Sequence, residues 1–495
     1  MRPLGILAAA CGIALFAAAV AWMRANPMPA YFDEAVYAES AIFDEWQLRH
    51  RGVSGLAESL LRLDPLRPPL HRVLALPVSI PARADLFALR LCSFALFLVA
   101  ALLMADAVRA VAGAAAGITA FLLLLAAPIL VHSTRIFGTE YAMLLAAALL
   151  VWSLARRHAA GVAIAIGLGL LTKASFLLAA LPLLAVALLL QVLPRRTLAL
   201  SCAIGVVLAL PWWLHDPLPA LRFAFSPTAF IRHRLAIPHY LYEVLRTGTG
   251  YALAALIVVA AAMLRRRDRE PRRDALLVML AAGAAVAPFL TTFTGSHNPR
   301  HLALSIFLLL PAVALVLRPR MLSVAALVAA LQIGAMAMPR RWTEADAQRS
   351  FIRRGVLEVM APTEQWDWTP LRLFAERLNL PRPEIATLGE GYQFNGPQIR
   401  YAWQRVRRDV RVRPLYRWDA DPPFDLRRAL DQAARANLVV TIPRYRGEPT
   451  DGQLPNNSHN DTFTAALARD PRFAGPFAID VGVREPVPVA VFVTR

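Results

Sequence analysis

From residue 3 to residue 338 the chain repeats one pattern: an apolar run, a short polar break, another apolar run. A helix that crosses a bilayer needs about 20 mostly apolar residues. Runs of that kind fall at 3–23, 86–108, 114–131, 138–155, 159–172, 174–193, 197–214, 247–264, 275–293, 301–317 and 321–338. Residues 159–193 are apolar except for Lys173, too long a stretch for one crossing, so the pattern predicts a helical hairpin that turns at Lys173. The first run has only Arg2 ahead of it and other runs behind it, which reads as a retained span rather than a cleaved leader. Beyond residue 340 the pattern changes. EIATLG (384–389), NLVVTI (437–442) and VPVAVFVTR (487–495) read as strands, and 369–379, 425–436 and 461–469 as helices. The predicted fold class is mainly α: a polytopic membrane helical bundle of eleven spans over 1–339, followed by a C-terminal soluble α/β domain over 340–495.

Composition sharpens this division. Only 18% of the 495 residues are charged, against about 25% in an ordinary soluble domain. Of the 34 acidic residues, 15 lie in 1–339 and 19 in 340–495, so the deficit belongs to the spans. A soluble enzyme, a disordered chain and a disulfide scaffold are excluded. Cys11, Cys92 and Cys202 all sit inside apolar runs and read as buried thiols.

The net charge of +19 does not point to nucleic acid, because topology accounts for it. Lys173 is the one lysine, and many of the arginines cluster in the breaks between spans. With the N-terminus in the cytoplasm, the inside loops hold Arg109, Arg156 and Arg157, Arg195 and Arg196, the run RRRDREPRR (265–273), and Arg318 with Arg320. The short outside loops hold Arg135 and Arg300, which is the positive-inside distribution. An odd number of spans then puts 340–495 outside the cytoplasmic (inner) membrane, together with the loops 24–85 and 215–246.

The outer loop 24–85 carries eight of the 15 acidic residues of the membrane part. Its segment FDEAVYAES (32–40) follows the first span directly. The adjacent Asp33 and Glu34 suit a general base, with the second carboxylate orienting it or holding a divalent metal. Spacing alone favours a solvated pair or a charge at a helix N-terminus. RPPL (67–70) sets Arg67 before two prolines that stiffen the backbone, as a phosphate grip or as a plain turn. Arg135 and Glu140 in RIFGTE and Lys173 in Thr172–Lys173 mark outside ends of spans, and ionisable groups at such depth are functional candidates; snorkelling also explains Lys173. HNPRH (297–301) offers Arg300, His297 and His301, or an interfacial anchor. The spacing of His215, His233 and His239 does not mark a zinc site. The orientation, set by arginines alone, places Asp33, Glu34, Arg67, Glu140, Lys173 and Arg300 on one face.

The order and character of these motifs resemble the C-type glycosyltransferases, in particular the branch of protein O-mannosyltransferases and bacterial aminoarabinose transferases of lipid A. The matching features run in order: FDEAVYAE (32–39), RPPL (67–70), ALRLCSFAL (88–96), RIFGTEYAMLL (135–145), GLGLLTKASFLLAALPLL (167–184), PWW (211–213) and NPRHLALSIFLLLP (298–311). They cover residues 1–340. The resemblance implies an inverting transfer of a sugar from polyprenyl phosphate to a lipid, glycan or protein acceptor on the outer face. It implies catalytic roles for Asp33 and Glu34, and substrate-binding roles for Arg67, Arg135, Glu140, Lys173 and Arg300. Arg67 stands where the family has Lys. A transporter or flippase is the alternative, but the charges cluster at outside ends and no internal repeat is visible. A non-catalytic scaffold or receptor is a third reading, in which substitution of Asp33 changes nothing.

Overall fold

The structure is a computed structural model that describes residues 2–495 except 174, 217, 220–241, 243, 267–269, 295–301, 339–355, 357–358, 361–364, 381, 390, 392, 417–422 and 446–454. Among the described residues a helix occupies each of the eleven apolar runs. These are α1 (Arg2–Ala25), α4 (Leu86–Ala112), α5 with α6 (Ala114–Ala126 and Pro128–Thr134), α7 (Glu140–Ala155), α8 (Ala159–Leu170), α9 (Phe176–Leu189), α10 (Arg195–Trp213), α11 (Tyr251–Met263), α12 (Pro271–Thr294), α13 (Ala303–Val316) and α14 (Pro319–Ala337). The polar stretch between α1 and α4 is also largely helical, with α2 (Phe32–Arg62) and α3 (Leu70–Ser79). Its low hydropathy excludes lipid, not helix.

The chain packs as two compact units. The first comprises Met1–Arg24, Gln47–Arg341 and Phe351–Ala361; the second comprises Ala25–Trp46, Trp342–Ser350 and Pro362–Arg495.

In the first unit, α1, α4, α10 and α14 each have the length and apolar composition to cross a membrane, and α5 with α6 makes a run bent by 66°. The shorter apolar helices, 12 to 16 residues in α7, α8, α9, α11 and α13, extend about 18–24 Å at 1.5 Å per residue. Large apolar side chains such as Ile13, Leu102, Leu189, Val258 and Leu331 point outward and are exposed. That is the surface of a protein whose solvent there is lipid, and the protein is a multi-pass membrane protein. Small residues let helices touch: a Cβ on Gly205 of α10 would lie 2.7 Å from the Ala163 carbonyl of α8. At the ends of α4 and α7, Arg109 and Arg156, assigned to the same side by sequence, both bind Asp106, which also accepts from Trp152 Nε1 at 3.0 Å.

The bend between α5 and α6 sits at Ala127, ahead of Pro128, which lacks the N–H to continue the ladder. The carbonyl of Ala126 accepts from Gln332 Nε2 of α14 at 2.7 Å, and the same nitrogen reaches Thr249 O at 2.7 Å. Thr249 ends a π-turn (Val244–Thr249), and Gly250 follows it with φ +73°, where a Cβ would strike the Gln332 amide.

In the second unit, strands β1 (Glu384–Thr387), β2 (Arg411–Pro414), β3 (Leu438–Thr441), β4 (Phe473–Asp480) and β5 (Pro488–Thr494) form one sheet in the order β2-β1-β3-β5-β4. β1 pairs in parallel with β2 and β3, while β5 is antiparallel to β3 and β4. Helices α15 (Thr369–Arg377), α16 (Gly396–Gln404), α17 (Leu426–Ala433) and α18 (Asn460–Arg469) complete it. Alternate strand residues feed two cores. Ile385, Leu438 and Val491 pack with Leu371, Ile399 and Trp403 on the face covered by α15 and α16. Ala386, Val439 and Phe492 pack with Ala433 and Phe463 on the face covered by α17 and α18. A sheet buried on both faces is an α/β layer structure.

Candidate active site

Three motifs converge in the first unit. Asp64 accepts the N–H groups of Leu66 and Arg67 at 3.0 and 3.2 Å, a turn closed by a carboxylate, and its other oxygen lies 3.4 Å from Arg67 Nη1. Pro68 and Pro69 then lead into α3, and the Leu70 N–H donates to Leu171 O at 2.9 Å. That bond seats RPPL beside Thr172–Lys173. The Tyr141 hydroxyl donates to the carbonyl of His71, and the His71 ring stands 6.0 Å from that of Phe137. Residues 67–71, 137–141 and 171–173 therefore share one neighbourhood.

Lys173 lies in the turn between α8 and α9, as the apolar pattern predicts, with its Nζ 3.8 Å from Glu140 Oε1. Glu140 begins α7 and is buried, and its other oxygen accepts the Thr139 N–H at 3.2 Å. The Lys173 side chain is 35% exposed, so a second anion can reach it. Burial, then the guanidiniums of Arg72 and Arg67, hold the His71 ring well below its usual range, so it is neutral at pH 7.

Arg135 is fully buried, 3.9 Å over the Trp22 ring, donating to the Val359 carbonyl and lying 3.1 Å from His132 Nδ1. Arg90 stands over the same ring at 5.0 Å. These contacts set Arg135 within the helix packing.

Asp33 and Glu34 open α2 and belong to the second unit. Adjacent residues on a helix point about 100° apart, and these two differ accordingly. Glu34 is fully buried and accepts the Ala30 N–H at 2.6 Å, folding back over the helix start in the manner of a capping carboxylate. Asp33 is partly exposed. One turn further on, Glu39 meets Arg400 through both carboxylate oxygens, at 3.0 and 3.1 Å. Burial pushes the Glu39 carboxyl up to about 7, with Arg400 pulling it the other way.

Arg300, with His297 and His301, lies outside the described residues, as do His233 and His239. Among the described residues no three His, Cys, Asp or Glu side chains gather in a way that could hold a metal. The donor set expected of Asp33 and Glu34 has no third such ligand among the described residues. His71, Asp64 and Glu39 were not singled out from the sequence as site residues. His71 directly follows RPPL and Asp64 precedes Arg67 by three residues, so both were within reach of a turn argument.

Residues 67–215 match the family profile described as dolichyl-phosphate-mannose-protein mannosyltransferase. Among solved structures, apo ArnT from Cupriavidus metallidurans superposes with a TM-score of 0.62 at 15% identity, over 98% of this chain and 97% of that one. The chain has the ArnT fold. That agrees with the membrane helical fold that the resemblance of the ordered motifs implies. ArnT bound to undecaprenyl phosphate matches over the same shares, 98% and 97%, with a TM-score of 0.57 at 15% identity. No curated protein matches the sequence significantly.

Proposed function

We propose that the protein is an inverting glycosyltransferase. It moves a sugar from a polyprenyl-phosphate donor to a lipid, glycan or protein acceptor at the outer face of the cytoplasmic membrane. The observation that carries this reading is the Leu70–Leu171 hydrogen bond, which seats the arginine of RPPL and the only lysine of the chain in one neighbourhood. The undecaprenyl phosphate bound to ArnT supports a polyprenyl phosphate as the donor's carrier.

In this mechanism Asp33 accepts the proton of the acceptor hydroxyl. The hydroxyl oxygen bonds to the anomeric carbon while the bond from that carbon to the phosphate oxygen breaks. The leaving phosphate gains negative charge, which Arg67 and Lys173 stabilise; Arg300 is a third cation for the same task. Glu140 holds Lys173, Glu34 holds the start of α2, and Arg135 holds the helix packing around Trp22 and Val359.

The test is an assay with purified protein in detergent, a short-chain polyprenyl-phosphate sugar and an acceptor lipid extract. Release of polyprenyl phosphate coupled to glycosylated acceptor is expected. Movement of intact donor across a sealed vesicle, with no bond cleaved, overturns the reading in favour of a flippase.

A further inference from the structure

The topology of the second unit singles out one place. The chain leaves β1 through α16 on one face of the sheet and leaves β3 towards α18 on the other. Between the carboxyl ends of β1 and β3 the connections diverge, which is where open α/β sheets hold their ligands. Here the polar groups of that place face residues of the same chain. Gln393, in the loop after β1, donates from Nε2 to Ala30 O at 2.7 Å, and its Oε1 accepts the Trp366 N–H at 3.1 Å. Gln398, in the first turn of α16, donates to Pro29 O at 3.2 Å. Gln365 exchanges two hydrogen bonds with Met28, accepting its N–H and donating to its carbonyl. All three glutamines are buried. Further along, Arg400 binds Glu39, and Arg407 binds Glu45 at 2.5 Å and Ile42 O at 3.1 Å.

Apart from the Gln393–Trp366 bond, these contacts all fall on residues 28–45, on both sides of Asp33 and Glu34. We infer that the C-terminal α/β domain is a positioning element for the base: its switch-point crevice binds the backbone just ahead of Asp33, with Gln393, Gln398 and Arg400 as positioning residues. This rests on the transferase reading above, and it gives the C-terminal domain a task that its own sequence does not declare. The carbonyls of Pro29 and Ala30 fix the chain where α2 starts; the Glu39–Arg400 pair fixes the helix about two turns later. Between those two anchors the direction of the Asp33 side chain is set.

The test uses Gln393→Glu in the full-length protein. It keeps the shape and the acceptor for Trp366, and replaces the donor to Ala30 by an oxygen. Because displacement of a reacting group by about 1 Å can cost around 100-fold, kcat is expected to fall at least about tenfold, with the donor KM held within about twofold. In an Asp33→Asn background the same change should cost nothing further, because it acts through Asp33 alone. Hydrogen exchange read by mass spectrometry should quicken in peptides spanning 28–36 and stay unchanged in β3 and β5. A second set keeps the idea exposed should Gln393→Glu misfold: Arg400→Glu should lower kcat, and the exchanged pair Glu39→Arg with Arg400→Glu should recover much of it. Unchanged kcat with unchanged exchange, equal losses in both backgrounds, or no recovery by the exchanged pair would overturn the inference. An inactive wild-type protein whose 28–36 exchange still responds to Gln393→Glu would sink the transferase reading and leave the clamp standing.

Discussion

Two carboxylates side by side in the sequence should respond oppositely to substitution. Asp33→Asn keeps the shape of a partly exposed side chain in the first turn of α2. The structural loss is the attraction between a carboxylate and a helix N-terminus, about 0.3–1 kcal/mol. Removal of a general base costs about 10²–10⁴ in rate, or about 2.7–5.4 kcal/mol in the barrier. Activity should therefore collapse while thermal stability barely moves. Glu34→Ala is the reverse case. It strips a buried acceptor from the Ala30 N–H, bound at 2.6 Å, and a hydrogen bond to a charged group contributes about 1.5–3 kcal/mol. Stability should drop by several degrees, and the protein that remains folded should lose less activity than Asp33→Asn. Glu34→Gln keeps an acceptor and should fall between wild type and Glu34→Ala in stability. Both quantities are read on the same preparation, as initial rate of polyprenyl phosphate release and as thermal unfolding in the assay detergent. More than half of the activity surviving in Asp33→Asn, or wild-type stability in Glu34→Ala, refutes the division of roles.

Arg67→Ala should lower transfer by about one to two decades, the worth of a charge-assisted phosphate contact, and Arg67→Lys should restore much of it; steady-state kinetics with a short-chain donor decides, with Arg266→Ala as the control that changes little. Lys173→Met should weaken donor binding or turnover to a similar degree, and wild-type kinetics in this variant would remove Lys173 from the phosphate. Glu39 titrates at about 7 in the folded protein against about 4.3 in a free chain, so folding takes up a proton between those values. Its contribution to stability therefore declines as pH rises from about 4.3 through 7, and the stability of wild type relative to Glu39→Gln, measured by thermal unfolding, should be greater at pH 5 than at pH 7.5. Single cysteines at Ser54 and Val483 in a cysteine-free protein should react with an impermeant thiol reagent in intact spheroplasts; protection until lysis would reverse the topology.

Much of this architecture is legible in hydropathy, because a span must be apolar along its length whatever it packs against. The Lys173 turn is legible for the same reason. Three elements of the C-terminal domain are not. β2 is RVRP, an edge strand whose arginines hide any alternation. β4 is FAGPFAID, where Gly475 and Pro476 imitate a turn. α16 begins Gly-Pro after Asn395, which reads as a loop until the Asn395 side chain is seen to accept the Gln398 N–H at 2.9 Å. In the candidate site, a charged residue's chemical type is visible in sequence but its direction is not. Nothing in Asp-Glu says that one carboxylate turns inward, and nothing local links Glu39 to Arg400, 361 residues away.

Gln332 shows what the broken helix costs its neighbours. One amide nitrogen serves two carbonyls that interrupted helices leave open, at Ala126 and at Thr249. Replacing it by leucine would make α14 more apolar, and by any lipid-partition measure a better span, yet would strand two acceptors in a place without water. The constraint also runs backward in time. In a lineage where position 128 carries a residue with an N–H and the α5–α6 helix is continuous, one of the two demands on position 332 disappears. Positions 128, 250 and 332 should then drift as a group, although they lie up to two hundred residues apart and share no chemistry with the sugar or its carrier.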